Sequence, residues 1–221
     1  MPLVELSHPI EDGMPGYPGL PRPAIVPHLS HEESRAHYAA GTEFTITRLE
    51  LVGNTATYLD SPFHRYRDGR DISELPLEAL VGLPAVVLDG RVGPDRSTVV
   101  DAGSHDLRGR AVLVRTGWDR RWGRPDYWEP GPHLDLRTAE ALVRAGAVLV
   151  GTDSWNVDDT ARRDRPVHST LLAAGVLVVE HLCHLDRVPE DGARFSAVPL
   201  AVAGAGTLPV RAWAEFPGDS S

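Results

Sequence analysis

Apolar residues in the second half of the chain come in short unbroken runs rather than in alternation. Pro84-Ala85-Val86-Val87-Leu88-Asp89, Ala111-Val112-Leu113-Val114-Arg115 and Val176-Leu177-Val178-Val179-Glu180 are the clearest of them. Runs of this length predict strands buried on both faces, as parallel strands covered by helices are. Ala147 to Val150 reads the same way and leads into Gly151-Thr152-Asp153. Between these runs the period changes. Leu136, Ala139, Leu142 and Val143 share one face of a helix over 136–145, with Gly146 as its stop. A second helix is expected over 168–174, ended by Gly175, and a short one over 73–81. A strand at 3–6 opens the chain, followed by a loop rich in Pro and Gly. Residues 43–52, with Phe44, Ile46, Leu49 and Leu51 among polar neighbours, give an imperfect strand pattern. Another extended stretch runs from Asn54 to Asp60 and stops before Pro62. Strands at 195–203 and 208–214, joined by Gly204-Ala205-Gly206, close the series.

Strands that alternate with helices over 111–180, beside further strands at both ends, predict an α/β fold. Its central sheet is partly parallel, with an additional mixed β layer. No repeat, low-complexity tract or linker divides the sequence, so residues 1–221 read as a single domain around one core. The Arg- and Asp-rich stretch 158–166 reads as an active-site loop rather than a boundary.

Hydrophobic residues at 42% and charged residues at 24% fit an ordinary globular chain. A formal net charge of −9 argues against nucleic acid or an anionic membrane as partner, since both select basic surfaces. Two basic clusters, Arg120, Arg121, Arg124 and Arg162, Arg163, Arg165, lie in turn-rich sequence and read as solvated loops. Cys183 is the one cysteine, which rules out an internal disulfide and fits a reducing compartment. Met1 to Glu5 lacks the features of a signal peptide, and no run approaches the ~18 apolar residues of a membrane span, so a cytoplasmic protein is expected.

The densest chemistry lies in Asn54-Thr55-Ala56-Thr57-Tyr58-Leu59-Asp60-Ser61-Pro62-Phe63-His64. Alternate residues of a strand share a face, so Asn54, Ala56, Tyr58 and Asp60 would point together, with Ala56 leaving room between larger neighbours. A straight strand would hold His64 ~13 Å from Asp60, and a bend at Pro62 could bring it back. Spacing alone also fits a capped turn with a surface histidine. His168 stands at a helix entrance after Pro166-Val167, where it would equally serve as a cap. Glu180 ends an apolar strand, where sheets of this kind present ligand groups, though a strand terminus is also often just solvated. Asp60, His168 and Glu180 together supply two carboxylates and an imidazole, a donor set suited to Zn²⁺ or Mn²⁺.

Residues 54–64 resemble the signature H-x-G-T-H-x-D-x-P-x-H of the cyclase/kynurenine-formamidase family. The resemblance continues through Gly151-Thr152-Asp153, His168-x-x-Leu171-Leu172, the strand ending at Glu180 before Leu185-Asp186, and Val198-Pro199-Leu200 to Val210-Arg211-Ala212. Leu6-Ser7-His8-Pro9-Ile10 and Tyr17-Pro18-Gly19 also look like family features. The resemblance implies a swivelling β/β/α fold, a homo-oligomer (dimer or tetramer), and hydrolysis of a small amide, lactam or lactone with a divalent metal, often a zinc pair. By position it makes Asp60, His168 and Glu180 the metal ligands and His64 the general acid/base. Asn54 and Tyr58 stand where the signature has its histidines, and Ala56 where it has its glycine. Two full zinc sites are therefore not expected. One Zn or Mn ion, or a metal-free pocket, are the alternatives.

Three functions follow. The first is a hydrolase with one metal, in which Tyr58 and Asn54 hydrogen-bond the developing oxyanion. The second is a metal-free cyclase, dehydratase or isomerase, with His64 as base and Tyr58 as acid. The third is a ligand-binding protein that has lost the chemistry. Tyr17, Phe44, Phe63, Trp118 and Trp155 are the rings expected to line a small-molecule pocket. Asp153 is expected to orient His168. His181 and His184 flank Cys183 and are expected at the surface.

Overall fold

The computed structural model describes residues 2–218. Its strands are β1 (Leu3–Glu5), β2 (Ala24–Leu29), β3 (Ile46–Glu50), β4 (Tyr58–Asp60), β5 (Leu83–Asp89), β6 (Arg91–Val92) and β7 (Ser97–Val99). The series continues with β8 (Ala111–Arg115), β9 (His133–Leu134), β10 (Leu149–Thr152), β11 (Leu177–Glu180), β12 (Ala193–Pro199) and β13 (Thr207–Glu215). Three helices accompany them, α1 (His31–Ser34), α2 (Leu136–Arg144) and α3 (Pro166–Ala173). No helix among the described residues is long and apolar enough to cross a membrane.

Eight strands form one sheet in the order β1-β13-β12-β5-β8-β10-β11-β4. The steps β5–β8, β8–β10 and β10–β11 are parallel and the others antiparallel. The long β13 pairs with β1 at Trp213–Glu215 and with β4 at Thr207–Pro209. Since β4 also pairs with β11, the sheet closes on itself into a barrel. Two smaller sheets lie apart from it, the hairpin β2–β3 and the group β6-β7-β9.

The unbroken apolar runs are explained by this closure. Alternate residues of each parallel strand face opposite sides, and both sides are buried. Ala85, Val87, Ala111, Leu113, Leu149, Leu177 and Val179 fill the barrel with Leu59, Phe195 and Ala212. Val86, Leu88, Val112, Val114, Val150 and Val178 face outward and pack against Leu142 of α2 and Leu171 and Leu172 of α3. Each such Leu or Val removed fully from water stabilises the fold by ~1.5–3 kcal/mol before entropy is counted.

Three expectations need correction. Residues 73–81 do not form a helix. They make two 3-10 turns, Ile72–Glu74 and Leu77–Ala79, separated by Pro76, whose ring cannot continue a helix past the preceding turn. The extended stretch from Asn54 is cut to β4 alone, because Ala56 takes a left-handed backbone with φ +54°. The strand over 43–52 begins only at Ile46 and belongs to the β2–β3 hairpin, which projects its apolar residues Ile46 and Leu49 into solvent.

Candidate active site

On β4, Tyr58 and Asp60 point away from the barrel interior, in the direction of α3, while Leu59 points in. The strand register places Tyr58 opposite Glu180, and Asp60 opposite Val178 on one side and Thr207 on the other. A polar patch of Tyr58, Asp60, Glu180 and Thr207 thus interrupts the layer that Val178 and its neighbours make apolar elsewhere. All four are buried.

The bend expected at Pro62 is a 3-10 turn, Pro62–His64, directly after β4. It returns His64 to Asp60, with Nδ1 3.9 Å from Asp60 Oδ1. Between them stands Thr207. Its hydroxyl donates to Asp60 Oδ1 at 2.6 Å and lies 2.7 Å from His64 Nδ1. Gly206, the preceding residue, makes this approach feasible. A Cβ there would come within 2.7 Å of the His64 backbone.

His168 enters from the first turn of α3. Asp158 holds it twice over, accepting from the backbone N–H of Val167 (2.8 Å) and His168 (3.0 Å), and from the ring Nδ1 at 2.7 Å. One carboxylate therefore caps the helix and fixes the imidazole, leaving Nε2 aimed at Asp60 Oδ2 (3.3 Å) and Glu180 Oε1 (3.5 Å). Asp153, expected in that role, is elsewhere. It accepts from Thr116 N–H (2.9 Å), Thr116 Oγ1 (2.5 Å) and Gly117 N–H (2.7 Å), pinning the loop after β8, and burial pushes its carboxyl up to about 6.

Electrostatics follow from crowding these groups away from water. Burial alone would lower the His168 pKa, but Glu180, Asp158 and Asp60 outweigh it and raise the imidazole to about 10. Glu180 is pushed up to about 7, by burial first and by Asp60 second, against the pull of His168. For Asp60 burial is again the largest influence and acts upward, yet His168, His64 and Thr207 together hold the carboxyl below its usual range. The Tyr58 phenol is driven well above its usual value by burial and by Glu180.

Whether the site fits a metal ion can be tested on its own atoms. Asp60 Oδ2 is buried and accepts no hydrogen bond of acceptable geometry. Ligand atoms of Asp60, His64 and His168 lie within 4.8 Å of one another. A carboxylate oxygen left free among imidazole nitrogens is the donor set of a divalent cation of borderline softness, so the residues fit one. Glu180 borders this group, with Oε1 also accepting from Val157 N–H at 2.6 Å. Tyr58 does not complete the set, since its hydroxyl donates to Glu180 Oε2.

The cluster forms the floor of a cavity of about 340 Å³. Asn54, Tyr58, His64, His168 and Glu180 line it, together with Tyr17 and Leu20 from the Pro- and Gly-rich loop. Asn54 lies beside the Tyr58 hydroxyl. Of the expected rings, only Tyr17 reaches the cavity. Trp118 and Trp155 sit behind it in a buried cluster with Tyr127, and Tyr17 packs on Trp155 at 5.4 Å between ring centroids. Phe44 is 53% exposed beyond α1, against Tyr38, and Phe63, in the 3-10 turn, does not line the cavity. His181 is not at the surface. It is buried against the Tyr127 hydroxyl (2.7 Å), and burial lowers its pKa to about 3, whereas His184 is exposed.

Four contributors escaped the sequence reading. Asp158 and Thr207 gave no pattern beyond a polar residue in a loop and at a strand start. Arg165 read as part of a solvated basic cluster, and Arg65 drew no reading, yet both line the cavity. The Asp158-to-His168 interval within an Arg- and Asp-rich loop was the one available signal for the first.

The model of the cyclase family matches residues 4–159. A kynurenine formamidase of Salinibacter ruber is 35% identical over 173 residues, covering 74% of this chain and 76% of that protein. A kynurenine formamidase of Geobacillus thermodenitrificans is 28% identical over 213 residues, 96% of each chain. Among solved structures, isatin hydrolase A from Ralstonia solanacearum superposes with a TM-score of 0.80 at 25% identity, over 96% of this chain and 91% of that one. An isatin hydrolase bound to thioisatinate shares the fold, with a TM-score of 0.81 at 21% identity, over 98% and 92%.

Proposed function

The chain belongs to the cyclase family, and from that premise we propose that it hydrolyses a small amide, lactam or lactone with His64 as general acid/base. The observation that carries this reading is the Asp60–Thr207–His64 relay. Thr207 has one hydroxyl hydrogen and gives it to Asp60, so in the 2.7 Å contact His64 Nδ1 must be the donor. That fixes the tautomer and leaves Nε2 as the proton-accepting nitrogen, on a ring that faces the cavity with its side chain 36% exposed. His64 takes a proton from the attacking water and returns it to the leaving nitrogen or oxygen.

Asp60 and His168, with Glu180 at their border and His64 within 4.8 Å of the same donor atoms, would hold one Zn²⁺ or Mn²⁺ ion, which would supply an electrophile for the carbonyl and an acidified water. Asp158 keeps His168 aimed at that position. Asn54 donates from its carboxamide to the oxygen that becomes negative. Tyr58 takes no such part, because its only hydrogen is given to Glu180. The relatives named kynurenine formamidase and isatin hydrolase support a formamide or a ring amide as the bond attacked.

A second reading, metal-free dehydration or isomerisation, draws on one observation. Glu180 stands near 7 and would be a proton donor at neutral pH. Formanilide turnover by metal-loaded protein separates the two. Under the hydrolase reading kcat falls about 10²- to 10⁴-fold in His64→Ala and is abolished by a chelator. Absence of formamide and lactam hydrolysis at any metal loading would overturn it.

A further inference from the structure

Two guanidinium groups border the cavity and take no part in the chemistry above. Arg65 follows His64 in the turn after β4, and Arg165 immediately precedes α3. Both have only neutral partners. Arg65 Nε donates to Ser169 Oγ at 3.0 Å, and its guanidinium lies 5.1 Å from the Tyr66 ring centre. Arg165 reaches the Tyr17 hydroxyl at 3.4 Å and the Asp159 carbonyl at 3.5 Å. Among the described residues no carboxylate comes within 4.0 Å of either. In a chain of net charge −9 this is not for want of acids. The nearby Arg162 pairs with Asp164 at 2.6 Å, Arg124 with Asp126 at 2.9 Å, and Arg115 with Asp89 at 2.6 Å.

Arg165 also holds a left-handed backbone, φ +47° and ψ +60°, which disfavours any side chain with a Cβ. Glycine or asparagine would satisfy that turn with less strain, so the turn alone does not account for an arginine there. A guanidinium stays charged throughout the accessible pH range, and its fork of N–H donors matches a carboxylate. The cavity is thus lined by two guanidinium groups without a carboxylate partner, while its one lining carboxylate, Glu180, lies beside His168.

We propose that Arg65 and Arg165 form an anion-binding rim, so that the substrate is an anionic amide or lactone with a carboxylate at the end away from the carbonyl attacked. The inference rests on the hydrolase reading for the reacting end and on the arginines for the other. A carboxylate paired with these two guanidinium groups leaves the other end of the substrate free to reach His64, which lines the same cavity.

The test compares 2-, 3- and 4-formamidobenzoate with formanilide on metal-loaded protein and on the Arg65→Gln/Arg165→Gln variant, whose folding is checked by its melting curve. In parallel, calorimetry measures the binding of benzoate and of benzamide to both proteins. The best of the three acids is expected to exceed formanilide in kcat/KM by at least about tenfold, the scale of one charge-assisted pair, and the variant should bring that ratio close to one. A ratio of one or less in the parent protein, or a ratio that the variant leaves unchanged, overturns the proposal. If nothing is hydrolysed but benzoate binds better than benzamide only while the arginines are present, the anion rim stands and the hydrolase reading falls. No hydrolysis together with benzoate binding indifferent to the arginines overturns both.

Discussion

Thr207 on β13 and Asp60 on β4 are register partners, and the threonine hydroxyl donates to the carboxylate at 2.6 Å. The same hydroxyl then has only its lone pairs left for His64, which forces the imidazole to donate through Nδ1. Thr207→Val keeps the shape and removes the constraint, so kcat should fall about 10²-fold with KM little changed. Thr207→Ser restores the hydroxyl and should recover most of the rate. Equal loss in both variants would assign Thr207 to packing alone, as steady-state kinetics on formanilide would show.

Metal binding should release a proton. His168 stands near 10 while its neighbours are carboxylates alone, yet a histidine must be neutral to ligate. Titrating Zn²⁺ into chelator-treated protein at pH 7.5, in a weak buffer with an indicator dye, should therefore show acid release along with about one ion bound per chain. Asp60→Asn and Glu180→Gln should each lower the bound metal measured by elemental analysis. Unaltered stoichiometry in both would place the ion elsewhere.

The same imidazole makes the stability of the metal-free protein depend on pH. Its folded pKa of about 10 lies above its unfolded value of 6.5, so folding favours the protonated form. That contribution is complete below about pH 6.5 and is lost as pH rises through 10, with a slope no steeper than ~1.4 kcal/mol per pH unit for a single proton. Urea melts from pH 6 to pH 10 should follow this decline, and His168→Gln should flatten it.

Ala56, where the family signature has glycine, holds φ +54°. This is the region in which a Cβ meets the following carbonyl oxygen, and glycine enters it freely. Ala56→Gly should therefore stabilise the chain by about 0.5–1 kcal/mol, offset in part by the greater freedom glycine has when unfolded. The midpoint of urea unfolding measures it directly.

The barrel strands were legible because their apolar runs serve two buried faces at once, a signal that needs no partner to be read. Asp60, His64, His168 and Glu180 could be singled out because each stands at a strand end, a bend or a helix entrance. What could not be read were relationships across the chain. Thr207 matters through its register with Asp60, Asp158 through the helix it caps, and Arg165 through the cavity it borders. None of these contacts leaves a local pattern. The aromatic residues misled for a related reason. Trp118 and Trp155 are large and near the site in sequence terms, but a large ring gains most by burial, and here both support Tyr17 from behind. His181 likewise looked solvent-facing beside exposed His184, until Tyr127 offered its ring nitrogen a buried partner.

The closure of the barrel divides the site between two seams. The β4–β11 pairing brings Tyr58 to Glu180, and α3 brings His168 to Asp60, through contacts in which β13 takes no part. Thr207 reaches His64 through the other seam, the pairing of β13 with β4. Parting that one seam would leave the carboxylates and His168 where they are and take from His64 the partner that sets its tautomer, so the orientation of the base is a property of barrel closure.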